Sequence, residues 1–315
     1  MKILAVMEFP PASVPATHQK ILRSLGIDYR IATKTAYMKT EVDWCLDVDY
    51  TEGLKEFAAQ ADIIQFHPSI GQPWSYQDLA PRFEEPEKEP FGPIEGWPDV
   101  PKIYYFHGSR NAEANAQAYK DHYGHRGHIW ASTLDYVEWM DAFYAPPTFD
   151  YTALKAAPLR QDDDELIIVQ SPTDPENCHT KEFIETCRYL GVMYRLMHRK
   201  PHSLVMDVKA QCNMGFDHMR GAFSVNTLEN CALGLVPLVG LTETRTAMLE
   251  ELTGRASPFY PMTTQLEQAI SHFIENPKTT RLYQLEARRW AFEVMDPTWW
   301  GERMRRQYET IYAGT

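Results

Sequence analysis

At 315 residues, with 44% hydrophobic and 23% charged residues, the chain is long enough for two globular domains of about 150 residues, each with its own core. It contains no run of about 18 or more apolar residues, which excludes a membrane-spanning helix; its five scattered cysteines include no C-x-x-C pair, which excludes a disulfide framework or a zinc site and points to a reducing cytoplasm. The net charge of −12 is concentrated in residues 1–150, where 13 Lys and Arg face 22 Asp and Glu, and this argues against a bare polyanion as the surface partner of the first half.

Apolar runs alternate with helical patterns throughout, which predicts an α/β protein with parallel sheets. In the first half, strands are predicted at Ile3–Met7, Tyr29–Thr33, Ile63–His67, Ile103–His107 and Ile129–Ser132, with helices at Thr17–Leu25, Glu52–Gln60 and Asn111–His122. Met1–Met7 reads as a strand rather than a signal peptide because Glu8 and three prolines follow at once. Phe9–Pro15 is a loop set by proline, and Pro81–Pro101, dense in Pro, Glu and Gly, is a long loop bordering a cleft. The proline pair in Tyr144–Asp150 and the polar run Arg160–Glu165 mark a domain boundary. Beyond it the alternation restarts, with strands at Leu166–Gln170, Met193–Met197, Met214–Phe216 and Val236–Val239. Helices are predicted at Thr180–Leu190, Leu204–Gln211, Thr244–Leu252, Thr264–Glu275 and Lys278–Glu293. A final helix at Thr298–Tyr312 carries Arg303, Arg305 and Arg306 behind Trp299 and Trp300.

The most informative stretch is Gly221-Ala-Phe-Ser-Val-Asn-Thr-Leu-Glu-Asn-Cys-Ala-Leu-Gly-Leu-Val-Pro-Leu-Val239. It reads as a turn, an amphipathic helix capped by Asn226 or Thr227, a stop at Gly234, and an apolar strand. Such a helix start presents free backbone N–H groups and partial positive charge, which suits a phosphate. Glu229 lies close enough to that start to accept hydrogen bonds from the hydroxyls of a sugar attached to the phosphate.

This segment resembles the donor-binding motif of the retaining family-four glycosyltransferases of GT-B fold, E-x7-E followed by a small-residue helix, Gly and Pro. Glu229, Gly234 and Pro237 match its second glutamate, glycine and proline, while the first glutamate's position holds Gly221 and nearby Asp217 is a candidate substitute. The loop Val169–Phe183 resembles the family's Ser-Pro-Thr-x-Arg-x-x-Lys-Gly-Thr loop at Ser171, Pro172, Thr173 and Thr180. Pro175 and Cys178 stand where its Arg and Lys would neutralise the donor diphosphate, leaving Lys181, Arg199 or Lys200 as candidate replacements. The resemblance implies two facing Rossmann-like domains, residues 1–155 on the acceptor side and 156–295 binding the nucleotide sugar, with residues 296–315 as a terminal helix packing back on the first domain.

It also implies transfer of a sugar from a UDP- or GDP-sugar to an acceptor hydroxyl, with retention of configuration and no metal or other cofactor. Donor contacts are expected from Ser171, Thr173, Lys181, Glu229 and the stretch Ala222, Phe223, Ser224, Val225 and Asn226. His107, Asp217 and Glu229 are the catalytic candidates. His67 and Arg110 are candidates for contact with sugar or acceptor; like His107, His67 ends an apolar strand, where open α/β sheets place their ligands. His122, His125 and His128 fit no common metal spacing. There is no G-x-G-x-x-G after the first strand, no phosphate-binding Walker lysine and no nucleophile-elbow serine. The acceptor is open among a glycan, a small molecule and a hydroxymethylated base of DNA, as in compact phage enzymes. A non-catalytic sugar-nucleotide binder and a GT-B epimerase or phosphorylase are the other readings.

Overall fold

Strand β1 (Lys2–Met7) is apolar on both faces and buried along its length, as expected of a central strand in a parallel sheet covered on both sides. It comes from a computed structural model that describes residues 1–7, 14–33, 42–45, 52–67, 98–107, 112–125, 127–155, 158–160, 165–219, 221, 223–260, 262 and 265–314. The proline loop after β1, most of Pro81–Pro101, Arg110 and Ala222 lie outside the described residues.

The chain divides into two compact units, Met1–Phe149 with Pro297–Thr315, and Asp150–Asp296. In unit 1, β1 is followed by α1 (Val14–Ser24), β2 (Asp28–Thr33), β3 (Trp44–Cys45), α2 (Glu52–Ala59), β4 (Ile63–His67), β5 (Lys102–Phe106), α3 (Ala112–Tyr123), β6 (His128–Ala131), α4 (Leu134–Met140) and β7 (Phe143–Tyr144). The strands form one parallel sheet in the order β3-β2-β1-β4-β5-β6-β7. In unit 2, a short 3-10 turn (Thr152–Leu154) leads to β8 (Ile167–Gln170), α5 (Thr180–Tyr189), β9 (Met193–Leu196), α6 (His202–Lys209), β10 (Met214–Phe216), α7 (Val225–Leu233), β11 (Val236–Leu238), α8 (Glu243–Thr253), α9 (Leu266–Glu275) and α10 (Pro277–Val294). Its parallel sheet runs β11-β10-β8-β9.

Both sheets reverse their winding once, between β1 and β4 in unit 1 and between β8 and β10 in unit 2. The crevice outside the carboxyl ends of such neighbouring strands is where open α/β sheets hold ligands. His67 ends β4, and Gln170 and Phe216 end β8 and β10. His67, Ser171 and Asp217 therefore sit at the two places where topology opens a sheet.

The last helix, α11 (Pro297–Ala313), belongs to unit 1. Trp300, Met304, Tyr308 and Ile311 recur at helical spacing and are buried; the last three join Ile3, Tyr29, Tyr105 and Trp130 in one core. Unit 2 has its own core around Ile168, Phe183, Phe216, Leu238, Ile270 and Phe273. The two-residue strands β3 and β7 were not predicted, because two residues are too few for any periodicity. Helix α7 begins at Val225 with Ser224 as its cap, two residues ahead of the predicted Asn226. None of the five cysteines forms a disulfide.

Candidate donor site at the carboxyl edge of the second sheet

The site is organised by Asp217, the first residue after β10. Its Oδ2 accepts from the Ser224 backbone N–H at 3.1 Å, the Ser224 hydroxyl at 2.7 Å and the Thr227 hydroxyl at 2.5 Å, and its Oδ1 accepts from Asn226 Nδ2 at 3.2 Å. Asn226 Oδ1 in turn accepts from the Ser171 hydroxyl beyond β8 at 2.6 Å. One carboxylate thus ties the loops after β8 and β10 to the first turn of α7. Burial alone would raise the Asp217 pKa; the neighbouring His218 and the bonds from Ser224, Thr227 and Asn226 outweigh it and hold the group below its ordinary value.

This arrangement alters two expectations. Asp217 has both oxygens committed to the helix start, so it is placed to position α7 rather than to touch a ligand. The helix start is also less open than expected, since Asp217 takes the Ser224 amide and the Ser224 hydroxyl takes that of Asn226 at 3.1 Å. Among the described residues, the amides of Phe223 and Val225 have no such acceptor. The Phe223 ring packs against Phe259 and Trp290, which anchors the loop that carries its amide.

Gly221 explains the missing first glutamate. Its φ of +74° lies in the left-handed region, its carbonyl accepts from Arg245 Nη1 at 2.6 Å, and a Cβ there would come within 2.3 Å of that same nitrogen. The buried Arg245 fills the place a side chain would need. Gly221→Glu will therefore destabilise the fold by about 2 kcal/mol, mostly from left-handed strain; urea unfolding measures it, and a variant as stable as the wild type would refute this account.

Glu229 lies in the second turn of α7 and is buried, with two partners from α6. Lys209 Nζ donates to Oε2 at 2.5 Å, and His202 Nε2 donates to Oε1 at 2.7 Å. Burial pushes the Glu229 pKa up, but the His202 bond and the Lys209 charge bring it below its ordinary value. The carboxylate is held ionised and its charge is locally neutralised by Lys209. His202 and Lys209 went unnoticed in the sequence. A signal was present, because Lys209 shares its buried helix stripe with Val205, and a lysine in an apolar stripe needs a partner.

Other candidates lie apart from this network. Thr173 is exposed. The Lys181 side chain is 89% exposed and lies 3.9 Å from Glu185 one turn along the same helix, the pattern of a solvated surface lysine.

In unit 1, the ring stack of His67 and His107 (centroids 5.0 Å, interplanar 5°) lies at the ends of β4 and β5. Gln65 Nε2 donates to His67 Nε2 at 2.7 Å, so His67 carries its proton on Nδ1 and donates to His107 Nε2 at 2.7 Å. His107 is then protonated on Nδ1, which donates to the Ser132 hydroxyl at 3.1 Å. Tyr308 of α11 completes the relay by donating to Gln65 Oε1. Burial holds both imidazoles well below the usual pKa and keeps them neutral. Both nitrogens of His107 are engaged within unit 1, so a ligand contact through either one would displace Ser132 or His67. Among the described residues, no cluster of three or more His, Cys, Asp or Glu could hold a metal ion, and no helix is long and apolar enough to cross a membrane.

No protein-family model matches the chain, and no curated protein matches it. Solved structures do. An alpha-glucosyltransferase in complex with UDP-glucose and DNA containing an abasic site aligns over 99% of both chains, with a TM-score of 0.58 and 10% identity. HepE of Anabaena in complex with UDP-glucose aligns over 98% of this chain and 100% of its own, with a TM-score of 0.62 and 13% identity. Sucrose-phosphate synthase from Thermosynechococcus elongatus aligns over 100% of both, with a TM-score of 0.58 and 11% identity. These are GT-B proteins, and the chain has the GT-B fold.

Proposed function

We propose that the protein is a glycosyltransferase that moves a sugar from a UDP-sugar to an acceptor hydroxyl, with retention and without a metal ion. The observation that carries the reading is the pairing, at the start of α7, of an ionised buried carboxylate with the amides of Phe223 and Val225, which have no acceptor among the described residues. Full-length likeness to structures solved with UDP-glucose supports it. On this reading Glu229 accepts the ribose hydroxyls and the amides of Phe223 and Val225 meet the diphosphate. Arg245, bonded to Gly221 in the same loop, adds a fixed positive charge in place of the family's missing Arg and Lys. Donors fixed in advance where charge develops on the leaving diphosphate are the main source of rate in this chemistry. Unit 2 is then the donor domain and unit 1 the acceptor domain.

A DNA base is the acceptor reading favoured by one observation, the likeness to a glucosyltransferase solved with DNA. Two of the three arginines of α11 are engaged within unit 1. Arg303 sits over Phe143, Trp299 and Trp300, and Arg305 is bonded to Glu302 and Glu309.

A thermal-shift panel of UDP-, GDP-, ADP- and CMP-sugars tests the proposal. At about a hundredfold excess over Kd, a UDP-sugar will add about 2.7 kcal/mol of stability and raise Tm by several degrees, with the other nucleotides weaker. If none of the four moves Tm, the protein is not a nucleotide-sugar enzyme.

A further inference from the structure

Glu229 presents its two oxygens differently. Oε2 faces inward to Lys209, whose side chain is 1% exposed, and Oε1 faces His202, whose side chain is 72% exposed. An enclosed ammonium holds one oxygen permanently. The other is covered by a ring that solvent surrounds and little else restrains.

Resting on the reading of Glu229 as the ribose acceptor, we propose that Lys209 is a positioning residue for the nucleotide, fixing the carboxylate, and that His202 occupies Oε1 as a stand-in that the ribose displaces. The geometry fits a diol. A ribose hydroxyl needs a lone pair on the outward oxygen, and the group already bonded there is a single N–H donor on an exposed side chain at the first residue of α6. Rotation of that side chain into water frees Oε1 without moving either helix.

Displacement has a charge dependence. Glu229 from α7 and Lys209 from α6 itself are the charged groups facing His202. Tyr151, before the 3-10 turn, faces Glu229 and stays neutral because burial holds its phenol well above the usual value. The Glu229 hydrogen bond is the largest influence on His202 and raises its pKa; burial opposes this, the Glu229 charge adds to it and the Lys209 charge subtracts. Protonated His202 therefore clings to Oε1 more tightly than neutral His202, and acid favours the covered state. A nucleotide sugar is a suitable probe because its pyrophosphate diester carries no proton that titrates across this range.

The experiment measures Kd of UDP-glucose by calorimetry at about pH 5.5 and about pH 8 for the wild type and for His202→Ala. Wild-type affinity should fall by about five- to tenfold on acidification, while the variant binds at least as tightly as the wild type at both pH values and loses the slope. His202→Ala removes an exposed ring and folds, as its Tm without ligand will record. A flat wild-type profile, a variant that keeps the slope, or a variant weaker at both pH values would each overturn the proposal, the last by making His202 a ligand contact. Absence of binding of both UDP-glucose and UDP by the wild type at either pH fails the reading of a UDP-sugar donor itself, an outcome distinct from these three.

Discussion

Glu229→Gln will lower kcat/KM for the UDP-sugar by about tenfold to a hundredfold while the protein stays folded. The reason lies in what Lys209 demands. A buried ammonium has donors only, so the amide of the variant must turn its oxygen to Lys209 and its NH2 outward to the place held by Oε1. Ribose hydroxyls then meet a donor instead of an acceptor. Losing a hydrogen bond to a charged group costs about 1.5–3 kcal/mol, which is a factor of roughly ten to a hundred. Glutamine is a better choice than alanine, because alanine strips Lys209 of its acceptor and confuses loss of function with loss of fold. Release of UDP against donor concentration, with Tm as the control, measures the effect. Wild-type turnover in a folded Gln variant would end the assignment of Glu229 to the donor.

Much of the architecture was legible because its signals are local. The strand Ile63–His67 is bounded in the sequence to the residue, and the turn–helix–Gly–strand unit at 221–239 is legible as such. Gly234, with φ of +75°, ends α7 where a stop was expected, its amide returning to the carbonyls of Asn230 and Cys231. The helix start was misread by two residues because Ser224, Asn226 and Thr227 are all competent caps in isolation. Only Asp217, brought in from the end of β10, decides that Ser224 takes the role. What escaped the sequence is what depends on partners far apart in the chain. Lys209 and Glu229 are 20 residues apart, Gln65 and Tyr308 are 243 apart, and neither pairing leaves a periodic trace. His107 was picked out by its place at a strand end. That its nitrogens are both engaged follows from His67 and Ser132, which no spacing rule connects.

Lys209→Met will destabilise the protein by about 3–5 kcal/mol near neutral pH, because the methionine fills the space but leaves a buried carboxylate without its counter-charge. The deficit should depend on pH in a definite direction. In the wild type, the Glu229 pKa is below its unfolded value, so the group contributes stability that is present above that value and is lost as pH falls through the folded pKa. Without Lys209, His202 alone opposes burial, so the carboxyl pKa moves upward from its wild-type position. Once Glu229 is protonated it no longer needs a cation, so the gap between variant and wild type narrows as pH is lowered towards about 4.5. Urea unfolding at that pH and at about pH 7 separates the two contributions. A deficit equal at both pH values would mean that the lysine matters for packing alone, and one below about 1 kcal/mol at neutral pH would mean that the pair is not the buried ion pair described. The same shift carries over to ligand: a protonated carboxyl is a poorer acceptor, so on the donor reading the affinity of Lys209→Met for the nucleotide sugar will rise with pH more steeply than that of the wild type.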